Sequence, residues 1–215
     1  MGTIERHGIV LASRYVRLEP LDFRHAEGLT SASAGADPEL YRWSFVPIGP
    51  AAVRSYIETA LRWRDEENAV PFAIVRSSDG RVIGSTRFFD IERWGWPDGC
   101  DNAGRPFDAC EIGYSWLSPD AVRTAANTEA KLLLLTHAFE RWNLWRVVFH
   151  ADARNQRSCN ALARIGAKYE GVLRSHRVAT DLTPRNSARY TILAGEWPNV
   201  KVRLEERVAV GREPG

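Results

Sequence analysis

Cysteine is scarce: Cys100, Cys110 and Cys159 are the three in 215 residues, with no CxxC spacing and no histidine-rich partner segment. That excludes a disulfide framework and a zinc site of ordinary spacing, and leads to the expectation of a reduced, cytoplasmic protein. No run approaches the roughly 18 consecutive apolar residues that cross a bilayer, and the N-terminus lacks a charged-then-apolar signal region, so no membrane partner is expected. Lysine and arginine number 29 against 27 aspartates and glutamates, a formal charge of +2, and no long basic block occurs. So small a surplus argues against a nucleic-acid partner, whose phosphates would call for a basic face. Internal repeats and low-complexity segments are missing too. What remains is 44% hydrophobic and 26% charged, over a length suited to one well-cored globular domain spanning residues 1–215, with 199–215 read as a C-terminal extension or tail.

The richest succession of local signals lies between Glu111 and Gly171. Glu111-Ile112-Gly113-Tyr114-Ser115-Trp116-Leu117 is a short apolar and aromatic run stopped by Ser118-Pro119, the pattern of a half-buried strand. Small and polar residues from Val122 to Thr128 follow and open a helix. In it Leu132, Leu135, Ala138 and Phe139 recur at helical spacing, and Glu129 sits in the first turn, where the macrodipole favours it. Trp145 to Ala151 reads as a buried strand, and Ser158 to Ile165 as a helix ended by Gly166. A strand, a small-residue turn and a helix can pocket a phosphate-bearing ligand. The amides of Val122, Arg123, Thr124, Ala125, Ala126, Asn127 and Thr128 lack intrahelical acceptors, and Arg123 adds a fixed positive charge. On local pattern alone the same residues also suit an ordinary strand-to-helix connection capped by Asn127 or Thr128.

Around this segment, Ile9 to Pro20 reads as a first strand and Asp22 as the N-cap of a short helix through Ala34. Ala51 to Arg64 reads as a helix with Val53, Ile57, Ala60 and Leu61 on one face. The loop between them, Gly35 to Pro50, carries Tyr41, Trp43 and Phe45, and either folds back on the core or lines a pocket. Ser78-Asp79-Gly80 turns a hairpin between Phe72–Val75 and Val82–Phe89, and a long loop runs from Asp90 to Ala109. Strands recur at Val172 to Val178 and Ala188 to Ala194, and Asn199 to Val210 has weak helical periodicity. The whole pattern is an α/β or α+β sheet with helices on both faces.

The run Arg123-Thr124-Ala125-Ala126-Asn127-Thr128-Glu129-Ala130-Lys131 with Leu132 to Leu135, then Asp152-Ala153-Arg154-Asn155-Gln156-Arg157-Ser158, Ile165-Gly166-Ala167 and Glu170-Gly171-Val172-Leu173-Arg174, resembles the GNAT superfamily of acyl-CoA-dependent N-acyltransferases. Within it the similarity is to the RimJ/RimL-like branch, whose members include ribosomal-protein N-terminal acetyltransferases and antibiotic self-immunity acetyltransferases. It runs from Val16-Arg17-Leu18-Glu19-Pro20-Leu21 to Tyr190-Thr191-Ile192-Leu193 and Glu196-Trp197-Pro198. The resemblance implies a mixed, mostly antiparallel sheet of about seven strands, in which the strands ending near Leu117 and Ala151 splay to admit the pantetheine arm of acetyl-CoA, with no metal. Aligned on Thr128-Glu129-Ala130, the family's Q/R-x-x-G-x-G/A signature falls on Val122, Ala125 and Asn127, so both glycines and the leading residue are changed. Glycine lets backbone approach a phosphate closely. Alanine and asparagine are small, asparagine tolerates the left-handed region, and Arg123 supplies the charge one place later.

Direct acyl transfer from a thioester to a primary amine needs an acceptor for the amine's proton, stabilisation of the oxyanion and a proton for the departing thiolate. Glu111 and His150 are alternative acceptors. His150 has the better unperturbed pKa, and Glu111 would need burial to raise its own. The resemblance places Ser158, closing Asn155-Gln156-Arg157-Ser158, near the thioester sulfur as proton donor, and Asn155 and Ser158 also suit a helix cap. The cofactor-binding set is Tyr114, Ser115, Trp116 and Leu117, the turn from Val122 to Thr128, and Asn155 with Ser158, a backbone amide within Tyr114–Leu117 serving the oxyanion. Trp43, Trp94 and Trp96 are expected to shape the acceptor pocket. A protein N-terminus and a small-molecule amine both stay open as acceptor, and the C-terminal segment could pair two subunits. The changed glycines also motivate a reading of another class, a non-catalytic domain that holds acyl-CoA without turnover.

Overall fold

The computed structural model describes residues 8–211, so the last four residues of the expected C-terminal tail and the first seven of the chain lie outside it. The strands are β1 Leu11–Ala12, β2 Val16–Pro20, β3 Ala69–Arg76, β4 Val82–Glu92, β5 Ala109–Leu117, β6 Arg146–Asp152, β7 Lys168–Val178 and β8 Pro184–Leu193. The helices are α1 Ala26–Ser33, α2 Pro38–Tyr41, α3 Pro50–Asp65, α4 Ala126–Thr136, α5 Gln156–Arg164 and α6 Trp197–Ala209. One eight-stranded sheet runs in the order β1-β2-β3-β4-β5-β6-β8-β7. Its pairs are antiparallel except β5 with β6.

One more strand is present than expected, because the segment Ile9 to Pro20 is two strands. Leu11 pairs with Leu18 across a turn closed by the Ser13 amide on the Val16 carbonyl. The reason lies far along the chain: the buried Glu129 carboxylate of α4 accepts the amides of Tyr15 and Val16, each at 2.7 Å. Without that acceptor, two buried donors of the turn would be orphaned. The hairpin at Asp79-Gly80 forms as read, with Gly80 at φ 75.

Alternation along β3 shows the two faces. Phe72 and Ile74 enter a core shared with Leu134 and Leu135 of α4 and Val200 and Leu204 of α6, and Ala73 enters a second core with Leu29 of α1 and Ile57 of α3. Helices therefore cover both sides, each burying one apolar stripe.

The sheet opens between β5 and β6. They pair only at Ala109–Arg146, Cys110–Val147 and Glu111–Val148, and then part. A bulge in β5 bends it away: Gly113 faces Arg87 and Trp116 faces Ser85, so Tyr114 and Ser115 together oppose Thr86, with Tyr114 at φ 50. Next to the bulge, β4 comes so near that a Cβ on Gly84 would collide with the Trp116 carbonyl oxygen. Meanwhile β6 stays paired with β8 as far as Asp152–Ser187, so it cannot follow β5.

Candidate active site

The gap is framed by the C-terminal half of β5, by Phe149 to Asp152 of β6, and by the N-terminal ends of α4 and α5. Before α4, Arg123 takes φ 66, an unusual left-handed conformation for a non-glycine residue. Thr124 caps the turn, its hydroxyl donating to the Ala121 carbonyl at 2.7 Å and accepting the Ala126 amide at 3.2 Å. Neither Asn127 nor Thr128 is the cap: they fall inside the first turn, and no acceptor meets either amide among the described residues. Two open amides, a helix N-terminus and the exposed Arg123 make a cradle for an anion. Alanine at position 125 does not fill it. Ala125 is buried, and its methyl faces Gly211 beyond α6, where any Cβ on residue 211 would lie 2.7 Å from it. The alanine at position 125 therefore leaves the turn open to an anion.

Asn155 caps α5, accepting the Ser158 amide at 3.0 Å on Oδ1. Ser158 is half-buried beside the gap, and its hydroxyl has no partner among the described residues. Glu111 and His150 are not alternatives in space but a bonded pair, His150 Nδ1 lying 2.9 Å from Glu111 Oε2. Arg177 donates to the same carboxylate at 2.9 Å and to Asp90 at 2.8 Å. Burial pushes the Asp90 carboxyl above its ordinary value despite that guanidinium. The other imidazole nitrogen, His150 Nε2, is buried without a partner, and the His176 ring lies 4.8 Å from the His150 ring. Burial, with the Arg177 charge, lowers the His176 pKa, which favours the neutral form of that ring.

A cavity of about 250 Å³ adjoins the bulge, lined by Phe45, Val46, Ala52, Tyr56, Arg87 and Tyr114 among others. The loop after α1 covers this end of the sheet. Tyr41 donates its phenol to the Leu117 carbonyl at 2.8 Å, and the Arg154 guanidinium lies 4.2 Å from the Trp43 ring. Trp43 thus stands at the mouth of the gap, beside the start of α5.

Trp94 and Trp96 do not line that cavity, contrary to expectation. The end of β4 pairs Glu92 with Ala109, so the following loop hangs from the N-terminal ends of β5 and β6, opposite to where they part. Buried Asp108 pins it there, accepting the Trp94 amide at 2.7 Å and the Trp96 indole N–H at 2.8 Å. The two indoles line a separate hollow of about 480 Å³ with Trp145 and Leu193.

Three residues of the site were not foreseen: Arg87, Lys131 and Arg177. Lys131 of α4 is buried, donates to Ser115 Oγ in the bulge at 2.7 Å, and is lowered by burial to a pKa of about 7. Its signal was available: it stands four residues before Leu135 and seven before Ala138, on the apolar stripe of α4.

A sheet that parts between two parallel strands, with open helix-N-terminal amides at one rim and a bonded Glu111–His150 pair beside a bulge, has the layout of an acyltransferase. Residues 16–168 match the family described as "Acetyltransferase (GNAT) domain", and the chain belongs to it. That family transfers acetyl groups from acetyl-CoA. Over 193 residues the chain is 25% identical to "Putative ribosomal N-acetyltransferase YdaF" of Bacillus subtilis (strain 168), covering 88% of this chain and 97% of that one. A GCN5-related N-acetyltransferase from Brucella melitensis superposes with a TM-score of 0.80 at 26% identity, over 94% of this chain and 86% of that one. RimJ of Mycobacterium smegmatis, solved with CoA-disulfide, shares the fold with a TM-score of 0.76 at 20% identity, over 97% and 98% of the two chains. The similarity thus lies in the RimJ/RimL-like branch. Among the described residues no helix is long and apolar enough to cross a membrane, and no cluster of His, Cys, Asp and Glu could hold a metal ion.

Proposed function

We propose that the chain moves the acetyl group of acetyl-CoA directly to a primary amine. The observation that carries this reading is the parting of β5 from β6 at a bulge, beside the open amides of Asn127 and Thr128. Bound acetyl-CoA supplies the acetyl group already activated as a thioester. Asn127, Thr128 and Arg123 hold its phosphates, and the backbone of Tyr114, Ser115, Trp116 and Leu117, with Asn155 opposite, flanks its pantetheine arm. A bulge amide serves the oxyanion, and the Ser158 hydroxyl gives a proton to the departing thiolate. His150 Nε2 accepts the amine's proton, Glu111 fixing the tautomer from Nδ1 and Arg177 donating to Glu111 from the other side. A fall in kcat with unchanged acetyl-CoA affinity in His150→Gln is the signature of that assignment.

The likeness to a putative ribosomal N-acetyltransferase of Bacillus subtilis favours a ribosomal protein as acceptor, and the small cavity beside the bulge favours a small amine. The free thiols of Cys100, Cys110 and Cys159 suit the cytoplasm. Pairing of two subunits through α6 would rest on outward residues such as Val202, because Trp197, Val200 and Leu204 are buried against their own core. The Ala125 methyl, facing Gly211 rather than the cradle, removes one of the two changed glycines as a motive for a domain that binds acyl-CoA without turnover. Calorimetric titration with acetyl-CoA and CoA tests the whole reading. Binding that weakens about tenfold or more in Arg123→Ala is expected from the loss of one charge-assisted contact, and absence of heat with either ligand would refute it.

A further inference from the structure

Arg87 is, with Lys131, a buried cation near the bulge that the proposed reaction leaves unused, and it differs from Lys131 in having no hydrogen-bond acceptor among the described residues. It stands on β4 opposite Gly113 and is 1% exposed. No carboxylate pairs with it and no acceptor meets its guanidinium among the described residues, and Nε and Nη2 are enclosed without a partner. Three rings surround it instead, Tyr114 at 4.3 Å, Tyr56 at 4.7 Å and Trp63 at 5.4 Å. Cation–π attraction offsets part of the desolvation but makes no hydrogen bond. Two other arginines show what this chain ordinarily does. Arg76, also buried, meets Asp79 and Asp120 at 3.2 and 2.6 Å, and Arg177 meets Glu111 and Asp90.

A cation enclosed without an anion is costly, and the chain leaves this one so at the wall of a cavity. Nε and Nη2 form one edge of the guanidinium, the edge that takes a carboxylate in two parallel bonds. The rings of Tyr56 and Tyr114 that cover Arg87 line the same cavity, so a small movement of either opens that edge to it. Glu111 lies two residues along β5 from Gly113, about 7 Å at strand rise. One small molecule can therefore reach both Arg87 and the Glu111–His150 pair.

We propose that the acceptor is a small amine bearing a carboxylate, an amino acid, whose carboxylate docks on Arg87 while its amine faces His150. This rests on the acetyltransferase reading and narrows it. An α-amine within a protein N-terminus has its own carboxyl locked in an amide, and would leave Arg87 unpaired.

The test is release of free CoA thiol from acetyl-CoA by the full chain. Acceptors are the free amino acids, each one's carboxamide, and short peptide amides with free N-termini. We expect at least one amino acid to exceed its carboxamide in kcat/KM by about ten- to a hundredfold, the range for hydrogen bonds to a charged group. Arg87→Met should erase that preference and leave acetyl-CoA affinity, read by calorimetry, unchanged, and Arg87→Lys should keep part of it. Should Arg87→Met not fold, the acid-to-amide ratio of the unmodified chain decides alone. Equal turnover of acids and amides, or preference for the peptide amides, overturns the carboxylate site and leaves the acetyltransferase standing. No transfer to any amine overturns both.

Discussion

Lys131→Met should make the protein more stable, and by an amount that shrinks as pH rises. The Lys131 ammonium is enclosed under the bulge with one hydroxyl, Ser115, as its hydrogen-bond partner and no carboxylate beside it. Burial takes its pKa from 10.5 to about 7. A fall of that size means the charged form costs on the order of 5 kcal/mol more inside than in water. The folded value lies below the unfolded one, so between the two the unfolded chain holds a proton the folded chain has released. Unfolding free energy then rises with pH across that window, by up to about 1.4 kcal/mol per pH unit, and the full penalty is present below about pH 7. Methionine fills a similar volume without charge, and Ser115 keeps its 2.7 Å bond to Thr86. The variant should therefore be several kcal/mol more stable near pH 6, with about 2 kcal/mol of that advantage gone by about pH 8.5. Urea unfolding followed by tryptophan fluorescence, run on both proteins at each pH, isolates Lys131, because titrations common to both cancel in the difference. A stability difference that stays flat from pH 6 to 9, or a variant less stable throughout, would refute an enclosed, unpaired ammonium.

Ser158→Ala should lower kcat about ten- to a hundredfold and leave the calorimetric affinity for CoA unchanged, since its amide still caps on Asn155. Loss of affinity instead would make Ser158 a binding residue alone. Glu129→Ala orphans the amides of Tyr15 and Val16 and should cost about 2–4 kcal/mol in denaturant unfolding, whereas a loss under about 0.5 kcal/mol would mean water replaces the carboxylate. Trp94→Ala should leave kcat/KM for acetyl-CoA and amine as it was, because that indole lies at the far end of β5 and β6. A drop of tenfold or more would bring the Trp94 loop back to the site.

The parts legible in the sequence are those whose causes are local. Strand β5, the hairpin at Asp79-Gly80 and the helix periodicities needed only neighbours a few residues away. The start of α4 was misplaced by a few residues: its N-cap is Ala125, which offers no side-chain cap, and the Thr124 hydroxyl in the turn before it takes the Ala126 amide instead. Causes that lie across the fold were not legible. The split of the first strand depends on Glu129, more than a hundred residues on. Glu111 and His150 could be named as candidates, but their bond spans 39 positions and the Arg177 contact 66. The tryptophans of the long loop were visible by composition, and only strand register says from which end of β5 that loop hangs.

Arg87 shows why a site residue can be hidden in plain sequence. Within Val82 to Glu92 the run Ser85-Thr86-Arg87 puts polar residues on both faces of one strand, with nothing in the sequence to say what covers them. In the fold β4 is covered on both faces there: Ser85, Thr86 and Arg87 are all buried. Once no face is wet, each polar group on the strand must find a partner, and Ser85 does so on the Phe72 carbonyl and Thr86 on Ser115. Arg87 has only rings around it and a cavity beside it. A chain that pairs Arg76 twice over in its interior, yet leaves Arg87 without an anion one alternation along β5 from the Glu111–His150 pair, has, on the reading proposed above, its missing partner in what enters the cavity.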